Sequence, residues 1–445
     1  MGMRSSTRSA VLVAAILAVA IGVAASTASA APTWSKPVTL GQISRDSKPP
    51  QIAVAPDGEA VVTWEGGRPN GIRVTSRRPG HRWQRPTLLA PAHESTPQVA
   101  VSRQKAVVVW DSVIRPEESE AQVIFAATRL RGGRWGKPEN ISAEKRWRRE
   151  PEGRDPEVAI TNRGEAIAMW TAGDEGHSTT PFIRTASQPP DGGWTTPLGL
   201  RGSIEGQEPQ VGVTPEGEAV AVWHAFYNEE SGLYVASRPA GERWSVKGLS
   251  SPGAFPEPKL AITPKGEAVA VWGLEYPGRG LQVATRRPGE RWGVETIPAV
   301  EFERLSFTQV VTKPGGAAVV WIRNTSDERE DVRVASHRRG GGWTEPSSLF
   351  GEEVKDRRPE IVVTRSGEWV AVWESSGPGG KFIQTASKPP GGSWSAPANL
   401  TPSPPAHRGG NSAPKIAVAP SGEVTAVWWS YDGSVRTLEA ATRRP

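Results

Sequence analysis

Along most of the chain, apolar residues fall in short runs separated by turns rich in Gly, Pro and Asp. Residues 51–64 show the unit: QIAVA, the turn PDG, then EAVVTW, in which Ala60, Val62 and Trp64 alternate with their neighbours. A period of two, with a wealth of Val, Thr and Trp, predicts strands and not helices. The phrase closing on Trp recurs eight times, at Trp64, Trp110, Trp170, Trp223, Trp272, Trp321, Trp373 and Trp428. The spacings run from 46 to 60 residues. Each repeat reads as four strands. Strand A is the apolar stretch before the turn and strand B is the run ending in Trp. Strand C is a stretch such as IRVTSRR, and strand D begins at a second Trp, as in WQRPTLL. Parity puts Ala60, Val62 and Trp64 on one face of strand B, expected to pack on the following repeat, and puts Trp369 with Trp373.

The second Trp also occurs eight times, at Trp34, Trp83, Trp135, Trp194, Trp244, Trp292, Trp343 and Trp394, but in a shifted register. The segment TWSKPVTL, residues 33–40, is a strand D with no A, B or C before it. The last repeat, ending in TRRP, has A, B and C with no D after them. The two ends complement each other. The expected fold is therefore all-β: an eight-bladed β-propeller of four-stranded antiparallel blades, with repeats of about 52 residues and the ring closed by the N-terminal strand. Closure of this kind removes the exposed edge that an open array would leave.

Composition sets the chain's surroundings. Residues 1–30 carry Arg4 and Arg8, an apolar run from Val11 to Ala25, and the small residues ASA up to Ala30. That order is expected of a secretory signal peptide cleaved after Ala30, leaving 31–445 as one exported domain with no membrane span. There is no Cys among 445 residues, so packing and not disulfides must hold the fold. Losing Arg4 and Arg8 leaves 51 of 53 bases against 47 acids, interspersed and without a basic block, which argues against nucleic acid as a partner. The domain is expected to be a monomer.

The turns before the second Trp read SRRPGHRW, TRLRGGRW, SQPPDGGW, SRPAGERW, TRRPGERW, SHRRGGGW and SKPPGGSW. Ser or Thr precedes Trp by seven places each time, and Gly holds the fifth place in all but the Asp191 turn. This resembles the Asp-box hairpin of the sialidase-like (BNR-repeat) propellers, across nearly all of the chain after residue 33. The third place, Asp in that family, is here Arg78, Leu130, Pro189, Pro239, Arg287, Arg338 or Pro389. The resemblance implies the fold. In that family the box lies on the face opposite the active site, so it implies no chemistry of its own.

The A–B and C–D turns share one end of the strands and are short and uniform. The B–C and D–A loops share the other end and are individual, so recognition is expected there. The sixteen repeated Trp are expected to fill the space between sheets, the alternative being a lectin-like groove. The unrepeated aromatics Trp147, Phe226, Tyr227, Tyr276, Trp429 and Tyr431 are candidate ligand contacts. Polar residues open strand A in every repeat: Gln51, Gln98, Glu157, Gln210, Lys259, Gln309, Glu360 and Lys415. They are expected to surround a central channel, either as its solvation or as a ring of ligand contacts.

A sialidase-like site would need an arginine cluster for a carboxylate, a Tyr nucleophile with a Glu base, and an acid. Weak candidates are Arg154, Arg304 and Arg358 ahead of strands A, with Tyr227 and Glu229. The family's Phe/Tyr-Arg-Ile-Pro motif is absent, and PFIRTA around Arg184 has the wrong order. The six His are scattered, with no metal-ligand spacing, and no cofactor is expected. The favoured reading is a secreted, non-catalytic propeller binding a glycan or extracellular protein on the B–C/D–A face. The alternatives are a divergent sialidase-like glycoside hydrolase and a structural envelope or matrix protein.

Overall fold

A computed structural model describes residues 33–44, 47–93, 95–114, 121–143, 152–173, 182–200, 206–227, 230–249, 257–274, 280–297, 304–324, 330–338, 341–349, 357–377, 380–401 and 410–445. Thr33–Pro445 form one compact unit. Among the described residues, every regular element is a strand.

The strands form antiparallel A-B-C-D sheets in chain order. Their innermost strands A are Gln51–Val54, Gln98–Val101, Glu152–Ile160, Gly206–Val213, Lys259–Ile262, Arg304–Lys313, Arg357–Val363 and Gly410–Val418. We number the sheets 1 to 8 by these strands. Sheets 1 to 6 each take strands A to D from consecutive chain. Sheets 7 and 8 are joined by one parallel bridge, Lys381 to Gly410. The fourth strand of sheet 8 is Val38–Gln42, which pairs antiparallel with strand C, Arg436–Arg443, in the register Val38 to Ala440 and Gln42 to Thr437. Each strand A lies beside that of the next sheet, and the last lies beside the first. This packing is consistent with a β-propeller.

Strand D is shorter than the sequence suggests, and proline sets where it starts. In sheets 4 and 5 the residue after the second Trp pairs at once, in Ser245–Gly248 and Gly293–Thr296. Elsewhere a Pro stands three places after that Trp, and the strand begins one residue beyond it, as at Thr87, Glu139, Leu198, Ser347 and Ala398. The residue after the second Trp already donates to strand C there, as Gln84 N does to Ser76 O at 2.9 Å, but a residue without an N–H interrupts the ladder, which resumes past the proline.

The eight Trp that close strand B are at most 1% exposed. They pack on the preceding sheet, not on the following one expected from the sequence. Trp110 meets Val61, Ile72 and Val74 of sheet 1, and Trp170 meets Val107, Val109 and Ile124 of sheet 2. Alternation fixes which residues share a face. Which neighbour that face meets depends on how the twisted sheets stack, and period-two patterning does not carry that information. Trp64 of sheet 1 accordingly meets Val427, Leu438 and Ala440 of sheet 8, together with Leu40 and Ile43. The second set of Trp is half-buried.

A repeated ion pair ties neighbouring sheets at the short-turn end. The Glu that opens strand B of one sheet meets the Arg that ends strand C of the next. Glu59 meets Arg129 at 2.8 Å, Glu165 meets Arg238 at 2.7 Å, and Glu218 meets Arg286 at 2.7 Å. Glu368 meets Arg443, and Glu423 of sheet 8 meets Arg77 of sheet 1. Between sheets 2 and 3 the pair is exchanged: Lys105 Nζ donates to Gln188 Oε1 at 2.9 Å. These Arg also lie over the second Trp, 5.4–5.6 Å from the ring centroids of Trp83, Trp135, Trp244 and Trp292.

Candidate functional site

At the start of strand A the chain repeats the pattern x-Pro-polar: Asp155-Pro156-Glu157, Glu208-Pro209-Gln210, Glu257-Pro258-Lys259 and Ala413-Pro414-Lys415. A residue before proline favours extended backbone. Here Asp155, Glu208, Glu257 and Ala413 instead hold left-handed φ values of 52°, 51°, 67° and 51°. In sheets 3, 4 and 8 the A–B register shifts at this place, a bulge that turns the chain before the ladder resumes. Left-handed backbone at a non-glycine residue costs about 1–3 kcal/mol and persists only where the surroundings enforce it.

The next residue but one, in each strand A, belongs to the polar series expected from the sequence. In sheets 2 to 4 these residues are hydrogen-bonded around Glu157, and the charge of Lys259 in sheet 5 acts on it. Its Oε1 accepts from Gln98 Nε2 at 3.2 Å and from Gln210 Nε2 at 2.9 Å. Burial pushes the Glu157 carboxyl up to about 7, against the opposing pull of Lys259 and the Gln210 amide. A second group forms around Glu360. It accepts from Gln309 Nε2 at 3.4 Å and pairs with Lys415. Gln309 Oε1 also accepts from the Ile361 amide at 3.0 Å, so the side chain stitches strands A of sheets 6 and 7.

Above Glu157 sits an acidic lip. Glu208 Oε2 accepts from the Glu257 amide at 2.7 Å, and the Glu208 amide donates to Thr171 Oγ1 at 3.1 Å. Burial raises the Glu208 carboxyl, and the charges of Glu257 and Asp155 add to this. Burial also raises Asp155, against Arg154 and Lys48. Asp111, the residue after Trp110, rises to about 6 through burial. It accepts from the Thr96 amide at 2.6 Å and from Gln122 Nε2 at 2.9 Å. The arrangement offers carboxylate acceptors, amide donors and two lysines at the mouth of strands A. Sequence reasoning found the inner polar series but missed the lip. Its signal was the acid before each proline in three successive sheets.

The other sequence candidates fall as follows. Trp147, Glu229 and Tyr276 lie outside the described residues. Phe226 and Tyr227 end strand B of sheet 4, Ala219–Tyr227, opposite Ser231 and Glu230. Arg304 and Arg358 lie in strands A of sheets 6 and 7, and Arg154 lies in sheet 3 with its Nε 3.9 Å from Asp155. Arg184 is buried in strand C of sheet 3 over the Phe182 ring. Trp429 is half-buried, packed on the cluster that joins sheets 8 and 1, with its Nε1 buried. Tyr431 is 38% exposed, but its hydroxyl donates to Gly433 O at 2.8 Å and Arg436 lies 5.7 Å from its ring. Among the described residues, no three His, Asp or Glu come together as metal ligands, and no helix is long and apolar enough to cross a membrane.

No protein-family model matches the sequence, and no curated protein does. Solved structures resemble it loosely. The polysaccharide lyase Uly1 is 11% identical with a TM-score of 0.49, over 79% of this chain and 90% of that one. The NanB sialidase of Streptococcus pneumoniae is 11% identical with a TM-score of 0.40, over 87% and 83%. A Dyadobacter fermentans protein of unknown function is 12% identical with a TM-score of 0.41, over 66% and 94%. At these TM-scores no activity carries across.

Proposed function

We propose that the protein is an exported, non-catalytic eight-bladed β-propeller, closed by its N-terminal strand, that binds a neutral, hydroxyl-rich glycan on its B–C/D–A face. Closure is supported by the strand pairing of Val38–Gln42 and by the Arg77–Glu423 pair between the last sheet and the first. The binding reading rests on one observation. Three successive sheets hold an acid in left-handed backbone at the mouth, above the hydrogen-bonded group of Gln98, Glu157 and Gln210. Strain of this kind gathers at functional sites. Carboxylates and amides in alternation suit vicinal hydroxyls, which donate and accept at once. The same lip repels an anionic sugar. The test is a glycan array with the mature protein, followed by titration of Asp155→Asn and Glu208→Gln. Neutral glycans should bind, and each variant should weaken binding about tenfold, the loss of one charged hydrogen bond. Selective binding of sialylated or other acidic glycans would overturn the reading.

A further inference from the structure

The repeated Glu–Arg pair between sheets fails at two consecutive interfaces. Between sheets 5 and 6 the two positions hold Glu267 and His337. Ala317 pairs with His337 just as Ala268 pairs with Arg286, so the register is that of the other sheets. No hydrogen bond joins Glu267 to His337; the nearest cation to Glu267 is Arg287, at 3.8 Å. Between sheets 6 and 7 the acid is replaced by Gly316, facing a strand C that ends at Lys388.

Space opens where the pairs are missing. A cavity of about 670 Å³ lies at the A–B turn end of strands A, bounded by the turns of sheets 5, 6, 7 and 8. Its walls include Pro264, Pro288, Pro314, Val363, Val418 and Pro420. Four cations stand on it, Lys265, Arg287, Lys313 and Arg365, against one acid, Glu267. A second cavity of about 470 Å³ shares Glu267 and Arg287 with the first and reaches His337. Both inner groups are built into the fold. Glu267 is 6% exposed and its amide donates to Thr263 Oγ1 at 3.0 Å. His337 is 4% exposed, its ring lies 5.2 Å from that of Trp343, and its Nδ1 is buried without a hydrogen-bond partner.

We infer that this cleft, on the opposite end of the strands from the B–C/D–A face, is a binding site for a small organic carboxylate with an apolar body and a hydroxyl at its far end. Proline and valine walls take the apolar body. Lys265 and Arg365 take the carboxylate, since a guanidinium matches its planar fork. The hydroxyl reaches Glu267, which lines both cavities, and donates to its carboxylate. The site does not depend on the lip, and none of its residues is shared with it.

The test compares three probes with the same ring and hydroxyl: 4-hydroxybenzoate, 4-hydroxybenzyl alcohol and tyramine. Binding is read by calorimetry and by ligand NMR on the folded protein. The benzoate should bind about tenfold more tightly than the alcohol, and tyramine not measurably. Lys265→Gln with Arg365→Gln should weaken the benzoate about tenfold and leave the alcohol unchanged, at an unaltered melting temperature, because both side chains are exposed. His337→Arg should restore the pair with Glu267, fill the inner end, raise the melting temperature and abolish binding. Equal binding of all three probes, or no binding of the benzoate at millimolar concentration, would overturn the inference. So would a benzoate affinity that survives both variants.

Discussion

Glu157 is the residue at which the fold's cost is easiest to read. Its carboxyl is raised from 4.5 to about 7, so the folded protein holds the proton more tightly than the unfolded chain does. Stability contributed by the protonated form is present below pH 4.5 and declines as the pH rises towards 7. Glu157→Gln removes that decline. Its melting temperature relative to the parent should rise from pH 5 to pH 8 in a thermal scan, and a difference constant with pH would show that the carboxyl is not raised. Trp429 and Trp272 differ in the same way as lip and core. Trp272→Ala leaves a void between sheets and should cost about 3–5 kcal/mol in denaturant unfolding. Trp429→Ala should cost clearly less, since the side chain is half-buried. The sequence offered Trp429, as an unrepeated aromatic, for a ligand contact. The structure packs it on the cluster of Leu40, Ile43, Trp64 and Val427, because a strand that continues past its core Trp still faces a neighbouring sheet.

Among elements, the ion pair between sheets was present in the sequence but went unread. The Glu of GEA and the Arg that ends strand C are far apart in the chain, and nothing in a single repeat links them. The exchanged pair was the signal: the one sheet that opens strand B with Lys105 is followed by the one sheet that ends strand C with Gln188. Burial lowers the Lys105 ammonium, so the site tolerates the charge only through its three acceptors, Gln188 Oε1, Gln188 O and Pro189 O. Lys105→Glu alone should destabilise, leaving a carboxylate near Asp191 and Glu165, whose charges now support the lysine. Gln188→Arg alone should also destabilise, by setting two cations together. The double variant recreates the pair used elsewhere, and a double-mutant cycle should give a favourable coupling of about 1–3 kcal/mol. Strand D, by contrast, was legible as an element but not in extent, because only the proline three places after Trp sets its start.

At the scale of the whole molecule, the repeats were legible because the same three devices recur in each: a core Trp, a turn Gly with positive φ, and a second Trp after the C–D turn. The individual B–C and D–A loops marked the face proposed for recognition, but no internal copy explains any one loop, so its residues were not legible. In the proposed ring, closure falls to the segment at residues 33–43. Leu40 and Ile43 are buried in the cluster with Trp64 and Val427. Gln42 O accepts from Trp64 Nε1 at 3.0 Å, and a Cβ placed on Gly41 would meet the Trp64 ring at 2.9 Å. The segment therefore does two things: it supplies the outer strand of sheet 8 and the surface on which sheet 1 rests. Deleting residues 33–42 should expose strand C of the last sheet and uncover Trp64. The loss of ladder bonds and of this apolar burial together should cost several kcal/mol, at roughly 25 cal/mol per Å². The shortened protein should melt well below the parent and show Trp64 exposed to quenching, whereas Gly41→Ala, which keeps the strand but crowds the ring, should fall between the two. A truncated protein that melts with the parent would mean that sheets 8 and 1 hold together without the strand, and that the proposed ring is not closed by it.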